Sequence, residues 1–323
     1  MTPHDFVSIR DFSPRQIREF IELARLIKSN PELFAAALKD RTLALILEKP
    51  SLRTRASFEV GIHQLGGFSL YLSPEEIRLG KRESVEDVAR TLERIVQGIM
   101  IRTFAHEIVE QMAEAASIPV INGLTDFSHP CQALADYLTI LELKGEVAGL
   151  KVAFLGDGNN VAHSLMFAGA QLGAQVWVAS PPGHEPEGEA IAWAVRRGRE
   201  TGGTCTITDD AAQAASDADV VYTDVWASMG QEAERDARLR IFPPFQVNSN
   251  MFAKAKPDAV FMHCLPAHRG EEVTAEVIDS SRSVVFQQAE NRLHAQKAIM
   301  LELMKQEMVE SLRPVPLYEP MSV

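Results

Sequence analysis

The run Lys49-Pro50-Ser51-Leu52-Arg53-Thr54-Arg55 concentrates cations and two hydroxyls in one short turn. An apolar strand-like run precedes it and helical spacing follows it, so Ser51 and Thr54 fall where a helix would begin. A helix start offers free backbone N–H groups and a partial positive charge. Ser51 and Thr54 add hydroxyl donors, and Arg53 adds a planar fork matched to phosphate oxygens. The chemistry to expect is capture of a phosphate-bearing ligand. Taken alone, the same run would also serve as a solvated basic turn with Ser51 as its N-cap.

Other chemistry-bearing runs also end or follow strand-like segments. Gly98-Ile99-Met100-Ile101-Arg102 ends on a cation, and His129-Pro130-Cys131-Gln132 opens a helix. Gly156-Asp157-Gly158-Asn159-Asn160-Val161 lies between a strand and a helix, as a dinucleotide loop would. Val161 replaces the third glycine of that fingerprint, and the next strand, Trp177-Val178-Ala179-Ser180, brings no ribose-binding acid. These departures exclude a nucleotide-linked oxidoreductase. Asp224-Val225-Trp226-Ala227-Ser228-Met229-Gly230 and His263-Cys264-Leu265-Pro266-Ala267-His268-Arg269-Gly270 each follow a strand at its carboxyl end, where α/β sheets bind ligands. Alone, His129 would be a satisfied core histidine, Asp224 a turn cap and Met229 core filling.

The positioning elements follow from hydrophobic spacing. Ser13-Pro14 opens a helix with Ile17, Phe20, Ile21, Ala24 and Ile27 on one face. Residues 42–47 (TLALIL) form a short buried strand. Phe58, Ile62 and Leu65 recur at helical spacing until Gly66-Gly67 stops them. Ser84 and Asp87 make a capping box before Val88, Leu92 and Ile95. Residues 98–101 and 119–121 are strand-like. From Gly149 a strand, a glycine turn, a helix through Leu165, Ala168 and Leu172, and a strand at 176–179 make a β-α-β unit. Residues 220–223 and 259–262 add buried strands. The expectation is an α/β protein of two domains, each a parallel sheet flanked by helices. Residues 1–145 form the first and 146–289 the second, with a helix from about Glu290 to Leu312 returning to the first.

Composition narrows the partners. The 323 residues suit about two domains, and 46% hydrophobic content supplies their cores. A formal charge of −12 disfavours nucleic acid and anionic membrane as partners. An anionic small substrate then needs a local basic cluster, which residues 49–55 provide. Cys131, Cys205 and Cys264 are odd in number and far apart, so neither a disulfide framework nor a cysteine-rich zinc site is expected. The first residues lack an apolar signal region, and no apolar run reaches membrane length. A reduced, cytoplasmic protein is the expectation.

In combination, Ser-x-Arg-Thr-Arg followed by Ser57-Phe58-Glu59, the Arg102 run and the His129 run resemble the aspartate and ornithine carbamoyltransferases. The Asp-x-x-x-Ser-Met-Gly pattern at Asp224 and the His-Cys-Leu-Pro core at His263 resemble the ornithine-using branch. The resemblance runs from the first helix to about Leu312. It implies transfer of the carbamoyl group of carbamoyl phosphate to the side-chain amine of L-ornithine, giving L-citrulline and phosphate in arginine metabolism. A sister activity on putrescine or a modified ornithine is the alternative. It further implies that carbamoyl phosphate is held by Ser51, Leu52, Arg53, Thr54, Arg102, His129, Gln132, Cys264, Leu265 and Arg292. Arg102, His129 and Thr54 would face the carbonyl oxygen, and Gln132 the carbamoyl nitrogen. The family usually carries threonine at Leu52, which keeps a backbone N–H but no hydroxyl. Ornithine falls to Asn160, Asp224, Ser228 and Met229. An amine with a free pKa of about 10.4 must lose a proton before attack, and Cys264 and Asp224 are the candidates to accept or relay it. With Arg102 and His129 they form the expected catalytic set. No cofactor is expected, and a metal reading of His263, Cys264 and His268 is set aside because the chemistry needs none. Within the family, the charged loop at residues 73–84 reaches a neighbouring subunit's phosphate site, which implies a homotrimer with Arg78 at the contact position.

Overall fold

The computed structural model describes residues 4–227 and 232–304. In the first half lie α1 (Pro14–Ser29), β1 (Thr42–Leu47), α2 (Leu52–Gln64), β2 (Phe68–Leu72), α3 (Pro74–Ile77), α4 (Val85–Leu92), β3 (Gly98–Arg102), α5 (His106–Ala115), β4 (Val120–Leu124) and α6 (Pro130–Lys144). The second half runs through β5 (Lys151–Leu155), α7 (Asn160–Leu172), β6 (Gln175–Ala179), α8 (Gly188–Thr201), β7 (Thr204–Thr208), α9 (Ala211–Ala215), β8 (Val220–Thr223), α10 (Arg235–Ile241), α11 (Ser249–Phe252), β9 (Val260–His263) and α12 (Ala275–Ile278). The long α13 (Val285–Met304) follows.

The strands form two parallel sheets, ordered β2-β1-β3-β4 and β7-β6-β5-β8-β9. Strand order reverses beside β1 in one sheet and beside β5 in the other. The crevices at such switch points open between the loops after β1 and β3, and between those after β5 and β8. Among the described residues, the chemistry-bearing runs fall on these loops, on β3 itself, on the loop after β9, or at the start of α6.

Local sequence accounts for the framework. Ser13 and Gln16 cap α1 reciprocally, with bonds of 2.9 and 3.3 Å, and its apolar face from Ile17 to Ile27 is buried. Helices α6 and α7 are buried over most of their length and lie side by side at the seam of the two halves. Gly169 on α7 permits that approach. A Cβ there would stand 2.3 Å from the Tyr137 hydroxyl, which donates to the Leu165 carbonyl at 3.0 Å. Helix α13 packs against α1, α2 and α6, so the chain returns to its first half as expected.

Some expectations needed adjustment. Helix α4 ends at Leu92, so Ile95 lies beyond it and is exposed rather than facing the core. The charged segment 73–84 contains the one-turn α3, capped by Ser73 and Glu76. The last helix begins at Val285, earlier than expected, and residues 305–312 lie outside the described part. Edge strand β7 (TCTIT) escaped the sequence reading, being short, half-buried and threonine-rich.

Candidate active site

A cavity of about 770 Å³ lies between the two sheets' carboxyl edges. The N-termini of α2, α6 and α7 supply Ser51, His129 and Asn159 to its wall. Three positive helix ends at one cavity favour an anion there.

Its cationic side is built from distant parts of the chain. Ser51 N-caps α2, accepting the Thr54 N–H at 3.3 Å, and its hydroxyl donates to Thr54 Oγ1 at 3.1 Å. Thr54 is fully buried, so its hydroxyl acts as a joint: Arg292 donates to it at 3.1 Å and Arg102 at 3.4 Å. Arg292 also donates to Gln132 Oε1 at 2.7 Å. Burial, followed by the nearby charge of Arg292, lowers the Arg102 guanidinium to about 9. Burial and the same arginines push His129 well below its ordinary value, so its ring is neutral at pH 7. Arg102 Nε and His129 Nδ1 are buried without a hydrogen-bond partner among the described residues. Arg53 and Leu52 line the opening, with Leu52 78% exposed. A register shift between Ile101 and Arg102 on the β3–β4 pairing sets the exit of Arg102. Gly123 keeps that bend tight, because a Cβ there would meet Met100 Sδ at 2.5 Å.

The opposite side is anionic. Asp224 accepts from Asn159 Nδ2 at 2.8 Å and from Cys264 Sγ at 3.0 Å. Burial and the Asp224 carboxylate push the Cys264 thiol well above its usual range, so it remains a protonated donor. Arg238, on α10, pairs with Asp157 at 2.9 Å and donates to the Trp226 carbonyl at 2.7 Å, joining the loops after β5 and β8. Gly158 is obligatory, because a Cβ there would lie 2.1 Å from Pro186 N. Leu265 has φ 59, a left-handed conformation costly for a branched residue, and this turns its loop into the cavity.

The structure therefore gathers Ser51, Leu52, Arg53, Thr54, Arg102, His129, Gln132, Asn160, Asp224, Cys264, Leu265 and Arg292 at or directly behind one cavity. Asn160 is committed to the Thr125 carbonyl, tying α7 to the first half. Ser228 and Met229 lie outside the described residues. Arg78 is exposed, adopts φ 47 and does not line its own chain's cavity. His263 turns inward: its Nδ1 accepts from the Leu265 N–H at 2.9 Å and its Nε2 faces Glu272 Oε1 at 3.1 Å. The strand alternation that buries His263 delivers Cys264 to the cavity.

Sequence reading counted Lys49 in the basic run but missed its setting, buried beneath the Phe104 ring at 4.3 Å and paired with Asp126. It also missed Asn159, Arg238 and the support behind Gln132. There Asp136, fully buried, accepts from Gln132 Nε2 at 2.8 Å, Gln288 Nε2 at 2.7 Å and the Tyr222 hydroxyl at 3.2 Å. Those donors fix the Gln132 amide with its oxygen toward Arg292. Burial outweighs them and raises Asp136 from 3.8 to about 7. Its contribution to stability is thus complete below the unfolded value and is lost as pH rises through 7. The stability difference between wild type and Asp136→Asn should fall by up to about 1.4 kcal/mol per pH unit below neutrality, then level off. Denaturant titrations from weakly acid to weakly alkaline pH check this. His129 and His163 titrate in both proteins and cancel in the difference. A difference independent of pH would mean that Asp136 stays ionised.

Two α/β halves place a cation-lined anion site opposite a carboxylate across one cavity, an arrangement that fits a transferase joining a phosphorylated donor to an amine. Comparison with known sequences specifies it. The aspartate/ornithine carbamoyltransferase carbamoyl-P binding domain matches residues 4–142, and the Asp/Orn binding domain of the same family matches residues 148–303. The chain belongs to the aspartate/ornithine carbamoyltransferase family. It is 57% identical over 302 residues to the ornithine carbamoyltransferase of Thermococcus kodakarensis, covering 93% of this chain and 96% of that one. The solved ornithine carbamoyltransferase of Pyrococcus furiosus superposes with a TM-score of 0.90 at 54% identity, over 93% of this chain and 96% of that one. The anabolic ornithine carbamoyltransferase structure from Campylobacter jejuni gives 0.90 at 36% identity, over 94% and 99%.

Proposed function

We propose that this enzyme is an ornithine carbamoyltransferase, moving the carbamoyl group of carbamoyl phosphate to the side-chain amine of L-ornithine to give L-citrulline and phosphate. The observation that carries this is the charge division of one cavity, with Arg53, Arg102 and Arg292 on one side and Asp224 hydrogen-bonded to Cys264 on the other. Arg53, Arg292 and the start of α2 hold the phosphate. Arg102 and neutral His129 direct N–H donors at the carbonyl oxygen, where negative charge grows as the amine attacks. Gln132 and the Leu265 carbonyl hold the carbamoyl nitrogen. Asp224, with Asn160, Ser228 and Met229, holds ornithine. Of the two proton-handling candidates, Asp224 has the accepting capacity, while the protonated Cys264 thiol donates to it and fixes its rotamer. The neutral amine adds to the carbonyl carbon, a tetrahedral oxyanion forms, and its collapse breaks the carbon–oxygen bond and expels phosphate, which carries off the proton released from the new carbon–nitrogen bond.

We place carbamoyl phosphate binding in residues 1–145 with the C-terminal segment 290–323, and ornithine binding in residues 146–289. The location is cytoplasmic. No helix among the described residues is long and apolar enough to cross a membrane, and the cysteines are free thiols. A panel assay settles the acceptor: citrulline should form from ornithine far faster than carbamoyl product forms from putrescine. Preference for putrescine would select the sister activity.

The assembly is a homotrimer, or a multiple of trimers, with sites between chains. The support is that Arg78 is exposed and does not line its own chain's cavity. Arg53→Ala and Arg78→Ala should each be inactive. Random mixing after reversible dissociation should restore about a quarter of wild-type activity, because each site needs one intact residue from each of two neighbours. No recovery despite proven subunit exchange would place both arginines in one chain's site. Full activity of Arg78→Ala would leave the loop as plain surface.

A further inference from the structure

Outside the cavity, the turn after the Cys264 loop carries His268, Glu271 and Glu272, each offering a ligand atom within 4.8 Å of the other two. His268 Nδ1 lies 3.8 Å from Glu271 Oε2 and 3.9 Å from Glu272 Oε2. These separations exceed a hydrogen bond but approach the spacing of two ligands on one metal ion. Glu272 supplies an independent sign. Its side chain is fully buried, and its Oε1 receives both the His263 ring and the His268 N–H, the latter at 2.6 Å. Its Oε2, turned toward His268, is buried without a partner. A buried carboxylate with one oxygen left uncompensated is costly.

We propose that His268, Glu271 and Glu272 form a binding site for a divalent transition-metal ion. One imidazole and two carboxylates suit a borderline ion such as manganese or zinc, with water completing the coordination. The turn is already built for it. The Glu271 N–H bonds the His268 carbonyl at 2.9 Å, and Gln246 Nε2 donates to the Glu271 carbonyl at 2.8 Å. Glu271 keeps Oε1 on Arg235, leaving Oε2 for the ion. A neighbouring group, Asp224, His263 and Cys264, is compact as well. It is unsuited, because His263 Nδ1 accepts from Leu265 and its Nε2 therefore carries the proton toward Glu272. The proposed ion takes no part in carbamoyl transfer. It would link the loop bearing Cys264 and Leu265 to α10, through Glu271 and Arg235.

Manganese is the right probe, because its preference for oxygen and nitrogen ligands discriminates against the thiol of Cys264. Electron paramagnetic resonance of the intact, metal-stripped protein titrated with manganese should count one bound ion per chain. His268→Gln and Glu271→Gln should each weaken binding by at least about ten-fold, while Cys264→Ser leaves it unchanged. Both glutamine variants keep the Glu272 scaffold, and their thermal midpoints without metal should match wild type. Metal should raise the wild-type midpoint and leave theirs unmoved. Binding of equal strength in all four proteins would be adventitious and would overturn the site, as would no bound manganese at millimolar concentration. Loss with Cys264→Ser alone would assign the ion to the cavity instead.

Discussion

Arg292→Met should lower kcat/KM for carbamoyl phosphate by about three orders of magnitude. Arg292 is nearly fully buried on α13, and its guanidinium holds Gln132 Oε1 at 2.7 Å and Thr54 Oγ1 at 3.1 Å. Methionine fills much of the volume but removes the charge and both bonds. Gln132 then loses the contact that faces its oxygen forward, and the anion site loses a central cation. Removing one donor of this kind costs about 2.7–4 kcal/mol at a transition state, and the lost phosphate contact adds to it. Arg292→Lys should recover only part, since an ammonium cannot bridge two acceptors as the planar fork does. Steady-state kinetics check both variants, with calorimetry of carbamoyl phosphate separating binding from turnover. A methionine variant with near wild-type kcat/KM would remove Arg292 from the phosphate site.

Asp224→Asn should cripple the amine half while sparing the phosphate half. The carboxylate accepts from Asn159 Nδ2 and from the Cys264 thiol, and an asparagine amide can satisfy one of these while turning a donor toward the other. Losing the charge-assisted contact to ornithine should cost about 1.5–3 kcal/mol in affinity. Losing the proton acceptor should cost a further 10²–10⁴-fold, roughly, in kcat. Carbamoyl phosphate affinity should remain near wild type. Equal loss for both ligands would make Asp224 a structural joint between β8 and the Cys264 loop. Cys264→Ser should be milder, because a hydroxyl can still donate to Asp224.

Much of this site was legible because its chemistry sits in contiguous runs at strand ends. Ser51 through Thr54, the Arg102 and His129 runs, Asp224 and Cys264 each end or follow a short apolar strand or begin a helix. Local pattern is enough to place them. What sequence could not supply are pairings across long separations. Asp136 meets Tyr222 and Gln288, and Asp157 meets Arg238, yet each looks in isolation like an ordinary polar residue on a helix or loop. The Thr54 hydroxyl also receives Arg102 and Arg292, two partners that the local run does not reveal. Ile95 was assigned to a buried face because the pattern continues past Leu92, while the helix itself stops there.

The transfer can be followed atom by atom. Carbamoyl phosphate labelled with carbon-13 at its carbonyl and ornithine labelled with nitrogen-15 on its side-chain amine should yield citrulline with a direct carbon–nitrogen coupling, alongside one phosphate per citrulline. In the same magnetic resonance experiment, ornithine labelled at the α-nitrogen should give none. Phosphate release with the carbon-13 recovered as bicarbonate, or coupling to the α-nitrogen, would contradict transfer to the side-chain amine.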